Sequence, residues 1–503
     1  MKLSKRSLQG ISLEKGVILP QPVVFYLPEK ILQFGTGVFL RGLIDFIIDR
    51  ANNKNEFNGR VVVVKSTSVG STEMFKDQDN LYTLIMKSIE NQVEVEEIVI
   101  CAAISRVINA EAWRQVLDCA ANEELKIVIS NTTEIGIIME DNDSIALNPP
   151  KSFPAKLLSF LYERHKIFNG SPESGLIIIP TELITNNATK LKDILNRLAL
   201  QNKLGDSFIK WLNECNDFCN SLVDRIVPGK LPIIEQFETQ NRLGYEDDLM
   251  IMSETFGLWA IETSNPKTQG LLSFSKTFSG VHIVPSIDKF RELKLRLLNA
   301  SHNLSCALGF LAGFKTVKDA MANSVFDKFM QKLINEDISK AIVSEKISIE
   351  EAQEFGTSVL DRYRNPYIKF EWLSICVQDT SKIRIRAVPV VNQYFDKYGF
   401  VPDSICLAFA GYILFMKSIR DSTGNYIGSL DGQEYIINDD YAENLYYKWN
   451  NHIGLNLVQS VLSDKILWDI DLNNLSGFSQ RVYSLMENLQ KSGFFNTVGL
   501  LEN

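Results

Sequence analysis

The strongest constraint on the fold is that short apolar strands alternate with helical segments through the first half of the chain. The strand candidates are runs rich in Val, Ile and Leu at 30–34, 60–65, 93–100, 126–130 and 175–180. Helical patterns lie between them at 39–51, 110–120 and 154–165. Strands that are apolar on both faces and separated by helices are typical of a parallel sheet covered on both sides. The sequence therefore predicts an α/β domain.

Strand signals fade after about residue 285, and long amphipathic helices replace them. These helical patterns cover 289–314, 316–335, 348–362, 403–419 and 442–462. The segment 421–440 is rich in Asp, Gly and Asn, and we expect it to be a surface excursion. A chain of 503 residues is too long for one core, so two domains are expected. They are an α/β domain at 1–284 and a mostly α-helical domain at 285–503.

A glycine-rich turn follows the first predicted strand and precedes a helix. The strand ends in Phe34, and Gly35-Thr36-Gly37-Val38-Phe39 comes next. Glycines here let the backbone approach a pyrophosphate, and the following helix supplies N–H groups at its N-terminus. Leu40 stands where the usual spacing has a third small residue, so a plain tight turn is an alternative. The context favours a Rossmann-like domain that binds a dinucleotide through Phe34, Gly35, Gly37 and Phe39.

The second predicted strand leaves the choice between NAD and NADP open. Rossmann-like domains normally bind the adenosine ribose of NAD with an acidic residue at the end of this strand. Here the strand ends in Lys65-Ser66-Thr67-Ser68, which contains no carboxylate. Because Lys65 could attract a 2′-phosphate, chemistry alone does not decide between the two cofactors.

Polar residues also follow the predicted strand 126–130, in the run Asn131-Thr132-Thr133-Glu134. Ligands bind at the carboxyl ends of strands in open α/β sheets, which makes Asn131 and Thr132 candidate cofactor-binding residues. A hydrogen-bonded turn that caps the next helix is a comparable interpretation of the same residues.

Lys294, Asn299 and His302 lie five and then three residues apart in a helical run. At about 100° per residue they fall within about 140° of arc, so one α-helix aims all three in one direction. An amine, an amide and an imidazole can together bind and polarise a carbonyl or alcohol. The alternative is a solvated polar stripe, but the helix is apolar nearly all round and is expected to be buried.

Composition excludes several classes of function. The net charge of −9 argues against nucleic acid as the main partner. The seven cysteines are odd in number and lie mostly in apolar segments, which indicates reduced thiols in a cytoplasmic protein. No His/Cys cluster has the spacing of a metal site. We also expect no signal peptide, and the longest apolar stretch, 405–416, is too short to span a bilayer.

Taken together, these motifs resemble the long-chain mannitol dehydrogenase family. The hallmark of this family, Lys-x4-Asn-x2-His, is matched by Lys294, Asn299 and His302. Further segments resemble the branch of the family that acts on hexuronates, namely 31–41, 130–134, 177–184, 222–227, 243–245 and 364–369. The resemblance runs from about residue 30 to the C-terminus.

The resemblance implies a metal-independent ketone/alcohol oxidoreductase that uses NAD. Lys294 is then the general acid in ketone reduction and the general base in alcohol oxidation, while Asn299 and His302 hydrogen-bond the reacting oxygen. The resemblance also implies Asn187 as an amide on the substrate side and Asp224 as a polar contact near the cleft. The family often has Asn-Gly where this chain has Asn187-Ala188, so the turn can differ.

The hexuronate branch implies the reversible reduction of D-tagaturonate to D-altronate. Because a hexuronate carries a carboxylate, its pocket should offer cations. The segment 381–386 contains Lys382, Arg384 and Arg386, which alternate onto one face if the segment is extended. The resemblance favours Lys382 and Arg386 as the substrate-binding pair. A solvated basic edge, or ion pairs with Asp and Glu, is the alternative.

Other functions stay open at this point. The same chemistry could act on D-fructuronate or on a neutral polyol. A dinucleotide-binding sensor could keep the fold without the reaction. A metal-dependent dehydrogenase is disfavoured because no cluster has ligand spacing. The oligomeric state is not indicated by the sequence.

Overall fold

The computed structural model describes residues 1–12, 16–66, 72–90, 93–132 and 136–501, which form two compact units. The first unit contains Met1–Lys87 and Glu94–Ile287, and the second contains Ser88–Val93 and Asp288–Asn503. The sequence divides the chain after residue 284, and in the structure the division falls after Ile287. No helix in the described ranges is both long and apolar enough to cross a membrane.

The first unit is built on three sheets. Its strands, numbered in chain order, are β1 Val17–Ile18, β2 Glu29–Phe34, β3 Arg60–Lys65, β4 Tyr82–Glu90, β5 Val93–Cys101, β6 Ile104–Asn109, β7 Ile127–Ser130, β8 Ile177–Pro180, β9 Asp217–Phe218, β10 Ser221–Asp224, β11 Ile251–Ser253, β12 Leu258–Glu262 and β13 Val281–Val284. The main sheet has six strands in the order β6-β3-β2-β7-β8-β9. All of its pairings are parallel. The predicted α/β architecture is confirmed.

The strand order places the glycine turn at a switch point of the sheet. From β2 the chain goes to β3 on one side, and later returns to β7 on the other side. Phe34 at the end of β2 is therefore paired with both Val64 of β3 and Ser130 of β7. In open α/β sheets the crevice at such a point is where ligands bind.

Both faces of the main sheet are buried, as its nearly uninterrupted apolar strands require. Ile31, Val61 and Val63 belong to one hydrophobic cluster. Their neighbours Leu32 and Val62 point the other way and belong to a second cluster. This alternation along each strand lets helices cover the sheet on either side.

The helices of the first unit include the three expected ones, which differ mainly at their ends, and others that were not predicted. They are Val38–Leu40, Phe46–Asn53, Glu73–Asp77, Trp113–Asp118, Phe153–Ile167, Asn187–Gln201, Asp206–Glu214, Ile233–Leu243 and Pro266–Leu271. A π-helical segment, Arg41–Asp45, joins the first two into one continuous run. The sequence missed β1, β4, β6 and β9–β13, because most of these runs are short or interrupted by polar residues and do not stand out as strands.

The second unit is mostly helical. Its α-helices are Asp288–Leu293, Ser301–Leu311, Val317–Met321, Ser324–Gln331, Ser339–Ile342, Ile349–Arg364, Trp372–Ile375, Asp379–Arg386, Val388–Tyr398, Asp403–Phe415, Ala442–Asn451, Gly454–Leu462, Lys465–Trp468 and Phe478–Gly499. Two π-helical segments, Lys294–Ala300 and Lys332–Ile338, connect neighbouring helices. One hydrophobic cluster runs through the unit from Leu293 to Val498.

The second unit has more regular structure at its surface, and shorter helices, than expected. The segment 421–440 is mostly exposed or half-buried, as expected for a surface excursion, and it contains most of an antiparallel sheet made of β14 Ile419–Arg420, β15 Tyr426–Leu430 and β16 Gln433–Ile436. Its first turn is closed by Asp421, whose carboxylate accepts from the backbone N–H groups of Thr423 and Asn425. The expected helix 316–335 breaks where Asn323 caps a new helix by accepting from Val325 N.

Arg164 holds several loops of the first unit together. It lies in the helix Phe153–Ile167 and is 1 % exposed. Its guanidinium donates to the backbone carbonyls of Ser174, Ala120, Asn122 and Leu125 at 2.7–3.2 Å. Burial lowers the pKa of this guanidinium to about 10, so it stays charged at neutral pH.

We predict that Arg164→Leu lowers the free energy of unfolding by about 3 kcal/mol, because it leaves buried carbonyls without donors. Urea unfolding followed by tryptophan fluorescence measures this change. The matched control is Arg114→Leu, which removes an exposed arginine paired with Asp118 at 3.0 Å. That control should cost less than about 1 kcal/mol. Equal midpoints for both variants would contradict the prediction.

Candidate active site

Gly35 is required by the backbone at the end of β2. Its φ of +128° is a conformation that L side chains rarely adopt. A Cβ at this position would lie 2.9 Å from the carbonyl oxygen of Asn131 and 3.0 Å from Leu40 Cδ1. The N–H of Gly35 donates to Val64 O at 3.0 Å. Only glycine therefore allows β2 to turn while it passes this close to the chain that follows β7.

Gly37 borders open space instead. It precedes the helical run that starts at Val38, and its φ of −60° is accessible to any residue. Apart from its two chain neighbours, no heavy atom of the described residues lies within 4 Å of the position that its Cβ would occupy. The first N–H groups of a helix have no partner inside the helix, so this opening suits an anionic group such as a pyrophosphate.

The remaining residues of the turn have structural contacts of their own. Phe34 is buried and its ring meets Phe153 edge-on at 5.3 Å. Phe39 is half-buried against the hydrophobic cluster on one face of the main sheet. A Cβ on Gly42 would lie 2.8 Å from Val227 Cγ1. The small residue that the usual spacing places at position 40 is thus supplied at 42, where it allows close packing.

The polar residues after β7 tie two neighbouring strand ends together. Asn131 donates through Nδ2 to Thr181 Oγ1 at 3.0 Å, just past the end of β8. Thr132 donates through its N–H and its hydroxyl to Glu182 Oε1, both at 2.9 Å. Ser130 Oγ donates to the other oxygen of Glu182 at 3.1 Å. Thr133 and Glu134, part of the same sequence motif, lie outside the described residues.

Glu182 is a site residue that the sequence analysis did not single out. It is 3 % exposed and binds the strand-end residues Ser130 and Thr132. It stands in a Pro-Thr-Glu run directly after β8. Its position at the carboxyl end of an apolar strand is the signal that could have found it.

Asn187 is buried, and its side-chain amide forms hydrogen bonds with backbone atoms. Its Nδ2 donates to the carbonyls of Pro180 and Ser221 at 2.9 and 3.0 Å, and its Oδ1 accepts from Ser221 N at 3.0 Å. These bonds join the end of β8 to the start of β10. Asp224 is the last residue of β10, is 8 % exposed and lies opposite Leu258 of β12. Lys65 ends β3 and is 5 % exposed, while Thr67 and Ser68 lie outside the described residues.

Lys294, Asn299 and His302 lie in one continuous helix of the second unit, but its winding differs from the expected one. Residues Lys294–Ala300 form a π-helical segment, and an α-helix begins at Ser301. A π turn closes hydrogen bonds between residues five apart, so Lys294 and Asn299 lie one turn apart along the axis. His302 follows three residues later, which is neighbour spacing in an α-helix. All three side chains are half-buried.

Aromatic rings and hydroxyl groups hold this helix from one side. The ring of His302 lies 4.3 Å from that of Tyr363 and meets Phe370 edge-on at 6.2 Å. The Tyr363 hydroxyl donates to Leu298 O at 2.9 Å and lies 2.8 Å from Ser301 Oγ. These contacts give the imidazole a defined orientation and bind a carbonyl of the π-helical segment.

Lys382 and Arg386 lie on a helix, Asp379–Arg386, so the expectation for an extended segment does not apply. Residues four apart share a helix face, which keeps this pair together and turns Arg384 away. Arg384 donates to Ile466 O at 2.9 Å and lies 3.7 Å from Asp469. In the described part of the chain, the Lys382 amine donates to Ile375 O at 3.1 Å, and Arg386 donates to Asn303 Oδ1 at 2.9 Å.

Among the described residues, no carboxylate forms a salt bridge with Lys382 or Arg386, although Asp379 acts electrostatically on both. Arg364, by contrast, is bound by Asp327 at 2.9 Å and by Asp361 at 3.2 Å. Lys382 and Arg386 are both half-buried, and burial lowers the pKa of the Arg386 guanidinium. Two neighbouring cations with donors to spare can bind an anionic group.

The helix that carries this pair is attached to the helix that carries Lys294. Arg296 lies two residues after Lys294 and is 9 % exposed. Its NH1 donates to the carbonyls of Ile385 and Arg386 at 2.8 and 2.9 Å, and its Nε donates to Glu292 at 2.9 Å. The carbonyls at the C-terminal end of the cationic helix are thus bound by the π-helical segment. In the described ranges, no group of three or more His, Cys, Asp or Glu residues could hold a metal ion.

Two family models match the chain. Residues 29–272 match the mannitol dehydrogenase Rossmann domain, and residues 286–490 match the mannitol dehydrogenase C-terminal domain. Together the two models span most of the chain, including every candidate site residue named above.

Curated relatives and solved structures agree with these matches. An altronate oxidoreductase from Bacillus subtilis is 35% identical over 475 residues, which are 93% of this chain and 94% of that protein. The mannitol 2-dehydrogenase of Pseudomonas fluorescens, solved with NAD and D-mannitol, is 21% identical with a TM-score of 0.66 over 100% of this chain and 99% of that one. A D-sorbitol dehydrogenase is 20% identical with a TM-score of 0.76 over 99% of this chain and 100% of the other. The two structures establish a shared fold.

The two glycines of the turn should respond differently to the same substitution. Gly35→Ala should lower the free energy of unfolding by about 1–3 kcal/mol, because φ is positive and the methyl group meets Asn131. Gly37→Ala should change it by less than about 0.5 kcal/mol, since the described residues leave space for a methyl group there. If a pyrophosphate lies there, Gly37→Ala should still weaken dinucleotide binding about tenfold. Urea unfolding and NADH titration measure the two effects. Unchanged NADH affinity in Gly37→Ala would remove this turn from the cofactor site.

Proposed function

The chain belongs to the mannitol dehydrogenase family, and from this premise we propose that it is an NAD-dependent oxidoreductase that interconverts D-tagaturonate and D-altronate. The observation that carries the proposal lies in the second unit. The helix with Lys294, Asn299 and His302 holds, through Arg296, the helix with Lys382 and Arg386. Acid–base groups, together with a pair of cations that form no salt bridge to a described carboxylate, suit a substrate that has both a ketone and a carboxylate.

The turn after β2 fits the proposed cofactor. Gly35 and Gly37 would hold its pyrophosphate against the start of the helical run at Val38. The backbone and side chains of Asn131 and Thr132 line the neighbouring strand end, with Phe34 and Phe39 packed beneath the turn. Lys65 is 5 % exposed, so it offers little surface to a 2′-phosphate, and this supports NAD. When bound, NADH supplies the hydride for ketone reduction, and NAD accepts it in the reverse direction.

Lys294 has the role of general acid in ketone reduction. Its ammonium group gives a proton to the carbonyl oxygen as that oxygen gains negative charge, and takes it back in alcohol oxidation. Asn299 and His302 donate hydrogen bonds to the same oxygen, which polarise the ketone and orient it. The tilted packing of His302 against the Tyr363 ring, with ring centroids 4.3 Å apart, keeps the imidazole in place for this task.

Lys382 and Arg386 have the role of binding the substrate carboxylate. In Arg386, only NH1 is bound by a described residue. The adjacent N–H groups of Nε and NH2 are therefore available to donate to both oxygens of a carboxylate. Lys382 adds a second positive charge one helical turn away. Asn187 and Asp224 belong to the first unit, where Asn187 braces the turn after β8 and Asp224 ends β10. In the proposal, both act on the substrate side by shaping these strand ends.

The cysteines support a reducing compartment as the place of reaction. All seven are free thiols, and burial raises the pKa of Cys119, Cys219 and Cys306, among others. Thiols of this kind persist unpaired in the cytoplasm. We therefore propose a cytoplasmic enzyme.

Substrate preference separates the proposal from its alternatives. NADH oxidation should be fastest with D-tagaturonate when D-fructuronate and D-fructose are compared at equal concentration. A preference for either other ketose would keep the mechanism and change the substrate. NADH binding without turnover of any ketose would favour a dinucleotide-binding sensor, and loss of activity on chelation would favour a metal-dependent enzyme.

We predict that Lys294→Met lowers kcat by about 10²- to 10⁴-fold while the affinity for NADH stays within twofold, because only proton transfer is lost. The matched control is Lys289→Met, which removes an amine of the adjoining helix that pairs with Glu351 at 2.7 Å. Steady-state kinetics and NADH titration measure both effects. A kcat above one tenth of the wild-type value in Lys294→Met would rule out Lys294 as the general acid.

We also predict that Arg386→Gln raises KM for D-tagaturonate about ten- to hundredfold with kcat changed less than threefold. The reason is that a hydrogen bond to a charged group contributes about 1.5–3 kcal/mol. Arg384→Gln is the matched control, since it removes a cation from the same helix but from another face. Equal effects of the two substitutions on KM would show that Arg386 has no specific role.

A further inference from the structure

The cationic helix Asp379–Arg386 is bound at both of its ends by the helix that carries the proposed acid–base residues. Arg296 binds the carbonyls at its C-terminal end. At the other end, Asp379 is bound by Asn303, the residue that follows His302. One helix thus presents the imidazole and also holds the element that carries Lys382 and Arg386.

Asn303 contacts two charged groups at once. It is 2 % exposed. Its Nδ2 donates to Asp379 Oδ1 at 2.6 Å, and its Oδ1 accepts from Arg386 NH1 at 2.9 Å. These contacts determine which way its amide points, since the carboxylate needs a donor and the guanidinium needs an acceptor. The neutral amide therefore lies between the Asp379 carboxyl group and the Arg386 guanidinium.

Asp379 is well suited to hold this amide. It is 0 % exposed. Burial raises the pKa of its carboxyl group, and the hydrogen bonds from Asn303 and Cys306 offset part of this rise, so that the pKa is about 7. Cys306 Sγ donates to Oδ2 at 3.4 Å. The backbone on both sides is bound as well, because Gln378 N donates to Asn438 O at 2.8 Å and Thr380 N to Asp439 Oδ2 at 2.9 Å. Asp379 is thus a fixed anchor for the Asn303 side chain.

We propose that Asn303 is a positioning residue for substrate selection, which orients the Arg386 guanidinium so that Nε and NH2 face the carboxylate of a hexuronate. This inference rests on the proposed function. A free arginine side chain has many rotamers, and ordering it during binding weakens affinity. With NH1 already bound by Asn303, the guanidinium plane is set before the substrate arrives. A neutral ketose has no carboxylate and gains nothing from this arrangement.

The test compares KM and kcat for D-tagaturonate in wild type and Asn303→Ala. KM should rise about three- to tenfold, the change that corresponds to ordering one long side chain during binding, and kcat should change less than twofold. The matched control is Cys306→Ala, which removes another donor to Asp379 but no contact to Arg386. Its KM should stay within twofold of wild type. If Asn303→Ala lacks wild-type circular dichroism, Asn303→Ser replaces it, since a serine hydroxyl is too short to bridge both groups.

A double variant distinguishes action through Arg386 from a general structural effect. When Arg386→Gln is present, adding Asn303→Ala should not raise KM further, because the group that Asn303 orients is gone. Independent effects that multiply would overturn the inference. A raised KM for Arg386→Gln together with an unchanged KM for Asn303→Ala would also overturn the inference. In that case the proposed function would stand. A wild-type enzyme that does not oxidise NADH with D-tagaturonate would overturn both.

Discussion

The winding of one helix, Asp288–Leu311, determines how the polar groups of the second unit are arranged. Between Lys294 and Ala300 this helix has a π-helical segment, in which residues five apart lie one turn from each other. Lys294 and Asn299 therefore lie one above the other, whereas in an α-helix they would point in different directions. A wider turn is costly unless its carbonyls are well bound. Here Tyr363 and Ser301 bind the carbonyls of Leu298 and Leu297 with hydroxyl groups. The site geometry therefore depends on Tyr363, whose ring also packs against His302.

Much of the fold could be predicted from the sequence, because burial on both sides leaves a strong signal in a strand. The four consecutive valines at 61–64 are unmistakable, and the run 60–65 forms β3 at the predicted residues. The three-stranded sheet β14–β16 showed no such signal, since its strands are short and partly exposed, and β15 contains Gly428. Helix breaks were missed for a different reason. A cap such as Asn323 is a single polar residue in an otherwise continuous amphipathic pattern.

The candidate site was predictable only as far as its residues are close in sequence. The spacing of Gly35 and Gly37 after a strand indicated the turn, and Lys294, Asn299 and His302 could be grouped because they share one helix. Lys382 and Arg386 needed the family resemblance, and their helical arrangement came from the structure. Asn303 could not be found from sequence, because its partners Asp379 and Arg386 lie 76 and 83 residues away.

The amide between Asp379 and Arg386 has a physical consequence that a direct ion pair would not have. A carboxylate bound to the guanidinium would neutralise much of its charge and occupy the donors that a substrate carboxylate needs. Asn303 fixes the orientation of Arg386 by binding one nitrogen of its guanidinium. Because the amide is neutral, this contact does not cancel the positive charge of Arg386. Asp379 still lies near enough to oppose the lowering of the Arg386 pKa by burial. The guanidinium thus stays charged and ordered in a half-buried place, and its remaining charge is available to an anionic ligand.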